Sequence, residues 1–181
     1  MLRIAVLGSG SSGNSALVFS DHSCLLVDAG ISSKQLHLRM MQLGVAPESI
    51  DGILLTHEHS DHTRGLEVFC RKVQKPVYCS AVTRESLSSD FDSPGGWRII
   101  EQAVPFSVGD LEVNGFTVMH DAVDPMGYVF SCRDSKLGFA SDLGHVTASM
   151  QSALRGVHSL FIEANYDDVM LQNDTRRPWS L

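Results

Sequence analysis

The chain has 181 residues, 43% of them hydrophobic, and a formal net charge of −7. That supplies one substantial core, expected as a single domain over residues 1–181, while no apolar run approaches the roughly 20 residues that span a bilayer. The acidic balance argues against an unaided basic surface for nucleic acid, but not against a nuclease, since two divalent ions would add about four positive charges at a site.

Leu2 to Leu7 reads as a buried strand that opens into Gly8-Ser9-Gly10-Ser11-Ser12-Gly13. This matches the G-x-G-x-x-G of dinucleotide-binding folds, and Asp28, closing the apolar run Cys24 to Val27, stands where the ribose-binding acid would stand. The spacing defeats that reading. A crossover helix is needed between Gly13 and Cys24, yet Ser15 to Ser20 reads as a second short strand followed by turn chemistry. A β-meander with a Gly/Ser loop at its rim is expected, and the loop either holds an anion or simply turns the chain.

After Asp28-Ala29-Gly30, Ser32 is a candidate N-cap for a helix whose Leu36, Met40 and Leu43 share an inward face before Gly44 stops it. His37 lies off that stripe. Asp51 to Thr56 is a strand delivering His57-Glu58-His59-Ser60-Asp61-His62. In extended backbone His57, His59 and Asp61 point to one side, and His62 swings in as the chain turns into a helix over Thr63 to Val73, with Leu66, Cys70 and Val73 inward. Imidazoles and carboxylates at this density suit two neighbouring divalent cations, with zinc favoured and iron or manganese as competitors.

Pro76 to Cys79 is a short strand, followed by a helical or irregular piece to Ser89 and a loop over Asp92 to Gly96. Ile99 to Val104, Leu111 to Val113 and Phe116 to Met119 read as strands, separated by Gly109-Asp110 and Asn114-Gly115 turns, and the last runs into His120-Asp121. Gly127 to Cys132 and Leu137 to Ser141 form a strand pair ending in Asp142. Thr147 to Leu154 is helical, His158 to Ile162 is a strand ending in Glu163, and Tyr166 to Leu171 begins a further helix.

The predicted fold class is α+β, an αββα sandwich of two mixed β-sheets with helices outside. Asp28, His57, His120, Asp142 and Glu163 each follow an apolar strand, so one rim of the sandwich is expected to collect them. Cys24, Cys70, Cys79 and Cys132 lie far apart without a C-x-x-C pair, which fits buried thiols in a cytoplasmic protein. His22, His145 and His158 are read as surface residues.

The motif Thr56-His57-Glu58-His59-Ser60-Asp61-His62 resembles the signature of the metallo-β-lactamase superfamily, and together with Gly8 to Ser15 it resembles the YycJ (WalJ) branch. The resemblance implies that His57, His59 and His120 hold one metal ion, that Asp61 and His62 hold a second, and that Asp142 bridges them. Asp61 and Asp142 are then the candidate catalytic carboxylates, and Asp28 and Glu163 orient imidazoles or loops. The superfamily supplies a further histidine near the C-terminus, in this branch within a Gly-His-Leu-Ser-Asn-like motif, and nothing after His158 matches it. Since Arg177-Pro178-Trp179-Ser180-Leu181 resembles the lead-in to that segment, a sandwich incomplete at its C-terminus is expected.

The branch implies exonuclease action on DNA through a metal-activated hydroxide. A thioester or lactone hydrolase with the same dinuclear site, and a catalytically impaired metal-binding fragment, are the alternatives from other classes.

Overall fold

The computed structural model describes residues 1–163. The helix expected over Tyr166 to Leu171 and the segment Arg177 to Leu181 lie outside the described residues. A first sheet has the order β1 (Arg3–Gly8), β2 (Ser15–Phe19), β3 (Cys24–Val27), β4 (Gly52–Leu54), β5 (Val77–Cys79) and β6 (Trp97–Ile99). Its first two pairings are antiparallel and the next three parallel. The second sheet runs β11 (Ser159–Ile162), β10 (Ser135–Ala140), β9 (Met126–Cys132), β8 (Leu111–Thr117) and β7 (Phe106–Val108), with only β10 and β11 parallel. Both sheets are therefore mixed.

Layering follows from the alternation of side chains along each strand. Leu25, Val27, Ala16, Val18 and Leu54 project into a core shared with Leu111, Val113, Tyr128 and Phe130 of the second sheet. Their neighbours Leu26, Leu17 and Ile53 project the other way, onto Leu36 and Met40 of α1 (Ser33–Gln42) and Leu66, Phe69 and Cys70 of α3 (Leu66–Val73). A smaller core joins Phe116, Val118 and Ala140 to Met150 of α5 (Ala148–Ala153). Helices α2 (Ser60–Thr63) and α4 (Ala81–Ser86) complete the α-helices among the described residues. Three apolar layers between four layers of structure make the αββα sandwich that the strand and helix order led one to expect.

Four local expectations change. Leu43 is the C-cap of α1 and is 51% exposed, because the helix ends one residue before it and turns it away from the stripe. The helix expected over Thr63 to Val73 is broken into α2 and α3, since Gly65 N–H donates to Ala29 O at 2.7 Å instead of continuing the ladder. Asn114-Gly115 makes no turn: both residues pair with β9, opposite Val129 and Tyr128, so β8 runs straight through. The strand expected from Ile99 to Val104 stops at Ile99, and β7 forms instead beyond Pro105. The caps hold, with Ser32 Oγ accepting from Gln35 N–H and Thr147 Oγ1 from Met150 N–H.

The sheets are latched together where β4 ends. Met126 N–H donates to Thr56 O at 2.9 Å, and the buried Tyr128 hydroxyl donates to Leu55 O. This fixes the start of the His57 segment against the second sheet before any metal-binding side chain is reached.

Candidate metal centre

Beyond the latch the chain leaves β4 and enters α2 with His59 as its N-cap. Asp61 thus lies on a helical turn and not on extended backbone, a change from the sequence expectation. Gly30 permits the approach: a Cβ there would sit 1.6 Å from Asp61 O.

His57 and His62 are buried, their ring centroids 4.0 Å apart. His57 lies 4.7 Å from His59 and 4.8 Å from His120 by the same measure, and His59 and His120 are 5.0 Å apart. Candidate ligand atoms converge in two sets, His57 with His59 and His120, and His57 with His62 and Asp142. Asp61 joins neither; its Oδ2 stands 3.8 Å from His62 Nε2. Glu163 is buried and accepts from Ser9 Oγ at 3.0 Å, which ties the second sheet to the Gly/Ser loop. His22, His37, His145 and His158 are exposed.

The hydrogen bonds select which ring nitrogen is bare. Thr56 Oγ1 donates to Asp28 Oδ2 at 2.8 Å, so its oxygen accepts from His57 Nδ1–H at 3.0 Å. His57 Nε2 is left buried with no hydrogen-bond partner among the described residues. Asp28 Oδ2 also accepts from His62 Nδ1–H at 2.8 Å, and Asp28 Oδ1 accepts from Thr56 N–H at the same distance. His120 Nδ1 faces Asp121 Oδ1 at 3.2 Å and its Nε2 lies 3.2 Å from His59 Nδ1. His57 therefore turns an unprotonated Nε2 inward, and the rings of His57, His62 and His120 are each held from behind by an oxygen acceptor.

Asp142 Oδ2 lies 2.6 Å from His62 Nε2 and 3.8 Å from His57 Nε2, yet the alignment is not that of a hydrogen bond and the oxygen has no hydrogen-bond partner among the described residues. Lone pairs gathered in a buried space need a cation, and nitrogen with carboxylate oxygen is the donor set of a divalent transition metal. The residues fit such an ion. Asp28 and Asp142 also hold left-handed backbone, φ 59° and 51°, which only a well-determined surround retains in non-glycine residues.

Electrostatics of the protein alone agree. Burial, reinforced by His62, His120 and His59, drives the His57 imidazolium down to about 2. At His62 burial opposes the charge, yet Asp28 and Asp142 prevail and push it up to about 10. There a proton stands in for the missing positive charge.

Sequence reasoning missed Thr56, which orients His57 and Asp28 at once, and Glu58, whose carboxylate accepts from Val123 N–H at 3.1 Å and anchors the loop behind His120. A polar residue directly before a histidine cluster was the one available signal for Thr56.

Residues 24–177 match the family model described as the beta-lactamase superfamily domain. Exodeoxyribonuclease YycJ of Bacillus anthracis is 39% identical over 186 residues, covering 99% of this chain and 69% of that protein. Exodeoxyribonuclease WalJ of Streptococcus pneumoniae serotype 2 is 34% identical, covering 94% of this chain and 65% of the relative. The chain thus spans about two thirds of the length of these relatives. Among solved structures, Zn2+-bound PqqB from Methylobacterium extorquens superposes with a TM-score of 0.75, at 19% identity over 93% of this chain and 74% of that one.

Proposed function

Since this chain belongs to the metallo-β-lactamase-fold superfamily, as a YycJ-like member, we propose that it is a metal-dependent phosphodiesterase acting on DNA from an end. The observation that carries this reading is the set of bare, buried acceptors, His57 Nε2 and Asp142 Oδ2, facing His62 Nε2. Two divalent ions, zinc from the donor set with manganese or iron as competitors, would supply a water acidified to near neutrality and an electrophile for the phosphoryl oxygen. The names of the YycJ and WalJ relatives support DNA as the substrate.

The residues divide the work by position. His57, His59 and His120 would hold one cation and His62 and Asp61 the other, with Asp142 as the carboxylate available to both. Thr56 keeps His57 in the tautomer that leaves Nε2 bare, and Asp28 holds His62 through Nδ1–H so that Nε2 is the nitrogen that would meet a cation on losing its proton. Asp61, with its side chain 27% exposed against 0% for His62, is the carboxylate that meets solvent and can accept a proton from an attacking water. Because the net charge is −7, DNA is attracted by the local field of the site and not by the surface as a whole. Four free, buried cysteines support a cytoplasmic setting.

End-labelled linear DNA, a chromogenic phosphodiester, an acyl-glutathione and a lactone should be offered to the zinc- or manganese-loaded protein. Stepwise, chelator-sensitive release of nucleotides from linear DNA is the expected result. Hydrolysis of the thioester or lactone with no attack on either phosphodiester would overturn the assignment.

A further inference from the structure

The Gly/Ser loop has no role in the function above, and its geometry is unlike that of an anion cradle. Gly10 N–H, which would face an anion, is already taken by Asn14 Oδ1 at 2.8 Å. Asn14 itself is buried, 5% exposed, at the point where the loop enters β2. Its backbone N–H donates to Asp61 O at 2.7 Å, and its carbonyl accepts from Gly30 N–H at 2.9 Å. Gly13 makes the crossing possible: it has φ +143°, and a Cβ there would come within 2.5 Å of Gly30 O. The glycines of the loop therefore serve to bring one side chain into the metal centre.

The bond from Gly10 fixes which way the carboxamide faces. With Oδ1 occupied, Nδ2 points into the site, 2.9 Å from His62 Nε2 and donating to Asp61 Oδ2 at 3.4 Å; a cation on His62 Nε2 would take up that nitrogen's lone pair and leave Asp61 as the acceptor for the amide. An amide nitrogen is a donor and a poor metal ligand, so Asn14 is placed to hold a ligand and not to be one. Asp61 is the candidate ligand that most needs holding, for it lies on a short helical turn, is partly exposed and stands outside both convergent sets.

We propose that Asn14 is the positioning residue of the second half-site: its side-chain amide, fixed by Gly10, hydrogen-bonds one oxygen of Asp61 and so keeps that carboxylate beside His62 for a second divalent cation. This rests on the two-cation reading above. Among the described residues His57, His59 and His120 make no hydrogen bond with the loop, so the first cation should not depend on Asn14.

The test titrates Co2+ into metal-free wild-type chain, Asn14→Ala, Asp61→Ala and the double variant, following ligand-field absorption, with bound metal counted after dialysis. Asn14→Ala should weaken the second equivalent roughly 10- to 100-fold, the range for residues that orient ligands, while the first shifts by no more than about threefold. In the Asp61→Ala background the same change should add nothing further. The inference is overturned if Asn14→Ala leaves the second equivalent unchanged, if both equivalents weaken together as for a generally loosened loop, or if the two substitutions are additive. A wild-type chain that takes up a single cation would sink the two-cation reading and this role with it. Two cations in the wild type with an insensitive Asn14→Ala would sink the role alone.

Discussion

His62 Nε2 and Asp142 Oδ2 face one another at 2.6 Å, while the opposite nitrogen of the same ring is 2.8 Å from Asp28 Oδ2. One buried imidazole thus lies between two carboxylates contributed by different sheets, Asp28 beyond β3 and Asp142 beyond β10. Either a proton or a metal ion can satisfy the inner contact, but not both.

Metal uptake at this half-site should therefore release a proton. The two carboxylates, against the pull of burial, raise His62 to about 10 in the metal-free chain, so it is protonated at pH 8 and must lose Nε2–H to become a ligand. Affinity there should climb as pH rises toward 10. His57, lowered to about 2 by burial and by its neighbouring imidazoles, is already neutral and should release none. Calorimetric titration in buffers of different ionisation enthalpy counts the protons, and uptake of metal without release at His62 would contradict the geometry.

The same shifts tilt the stability of the metal-free protein in opposite directions. His62, raised above its unfolded value of 6.5, contributes stability that is complete below pH 6.5 and is lost as pH rises through about 10. His57, depressed from the same value, contributes stability present above pH 6.5 and lost as pH falls toward 2. His62→Gln should flatten the alkaline side of a urea-denaturation profile and leave the acid side in place.

Asp28 should matter to the fold as well as the site. It accepts from Thr56 N–H, Thr56 Oγ1 and His62 Nδ1–H, and both it and His62 are at most 1% exposed. Asp28→Ala leaves a buried imidazolium with one partner fewer, for which a loss of about 3–5 kcal/mol is expected in the metal-free chain. Denaturant unfolding measures it, and a loss below about 1 kcal/mol would show that water or a neighbour replaces the carboxylate.

Among the histidines, His59→Ala should abolish tight retention of the first metal ion, and Asp142→Ala should chiefly weaken the second. His37→Ala should do neither, since His37 is exposed on α1. Elemental analysis after dialysis distinguishes these outcomes, and loss of metal from the His37 variant would refute the division between site and surface.

The thiols supply a check on packing. Burial pushes Cys24, Cys70 and Cys79 up to about 12, so at pH 8 they should resist a disulfide reagent in the native chain and react once it unfolds. Because their folded values exceed that of an unfolded thiol, 9.0, stability should fall as pH rises from about 9 toward 12. Rapid labelling of all three in native protein would show that the helix layer does not close over the first sheet.

The sequence by itself determined the features that depend on local geometry. Alternation along Ser15 to Phe19 and Cys24 to Val27, and the absence of room for a helix between them, decided against a dinucleotide fold, and β2 and β3 pair antiparallel. Leu36 and Met40 share a buried face because helical spacing alone puts them there. The histidine cluster was legible because its residues lie within one turn of chain, and Asp28, His120 and Asp142 because strands end shortly before them. Tertiary structure decided the rest. Asn114-Gly115 has the composition of a turn, but a neighbouring strand offers both residues partners, and the ladder outweighs the local preference. Asp28 meets His62 across 34 residues, Asn14 meets Asp61 across 47, and Ser9 meets Glu163 across 154. Such pairings depend on which segments cross and how closely their backbones approach, and no periodicity within either segment encodes that.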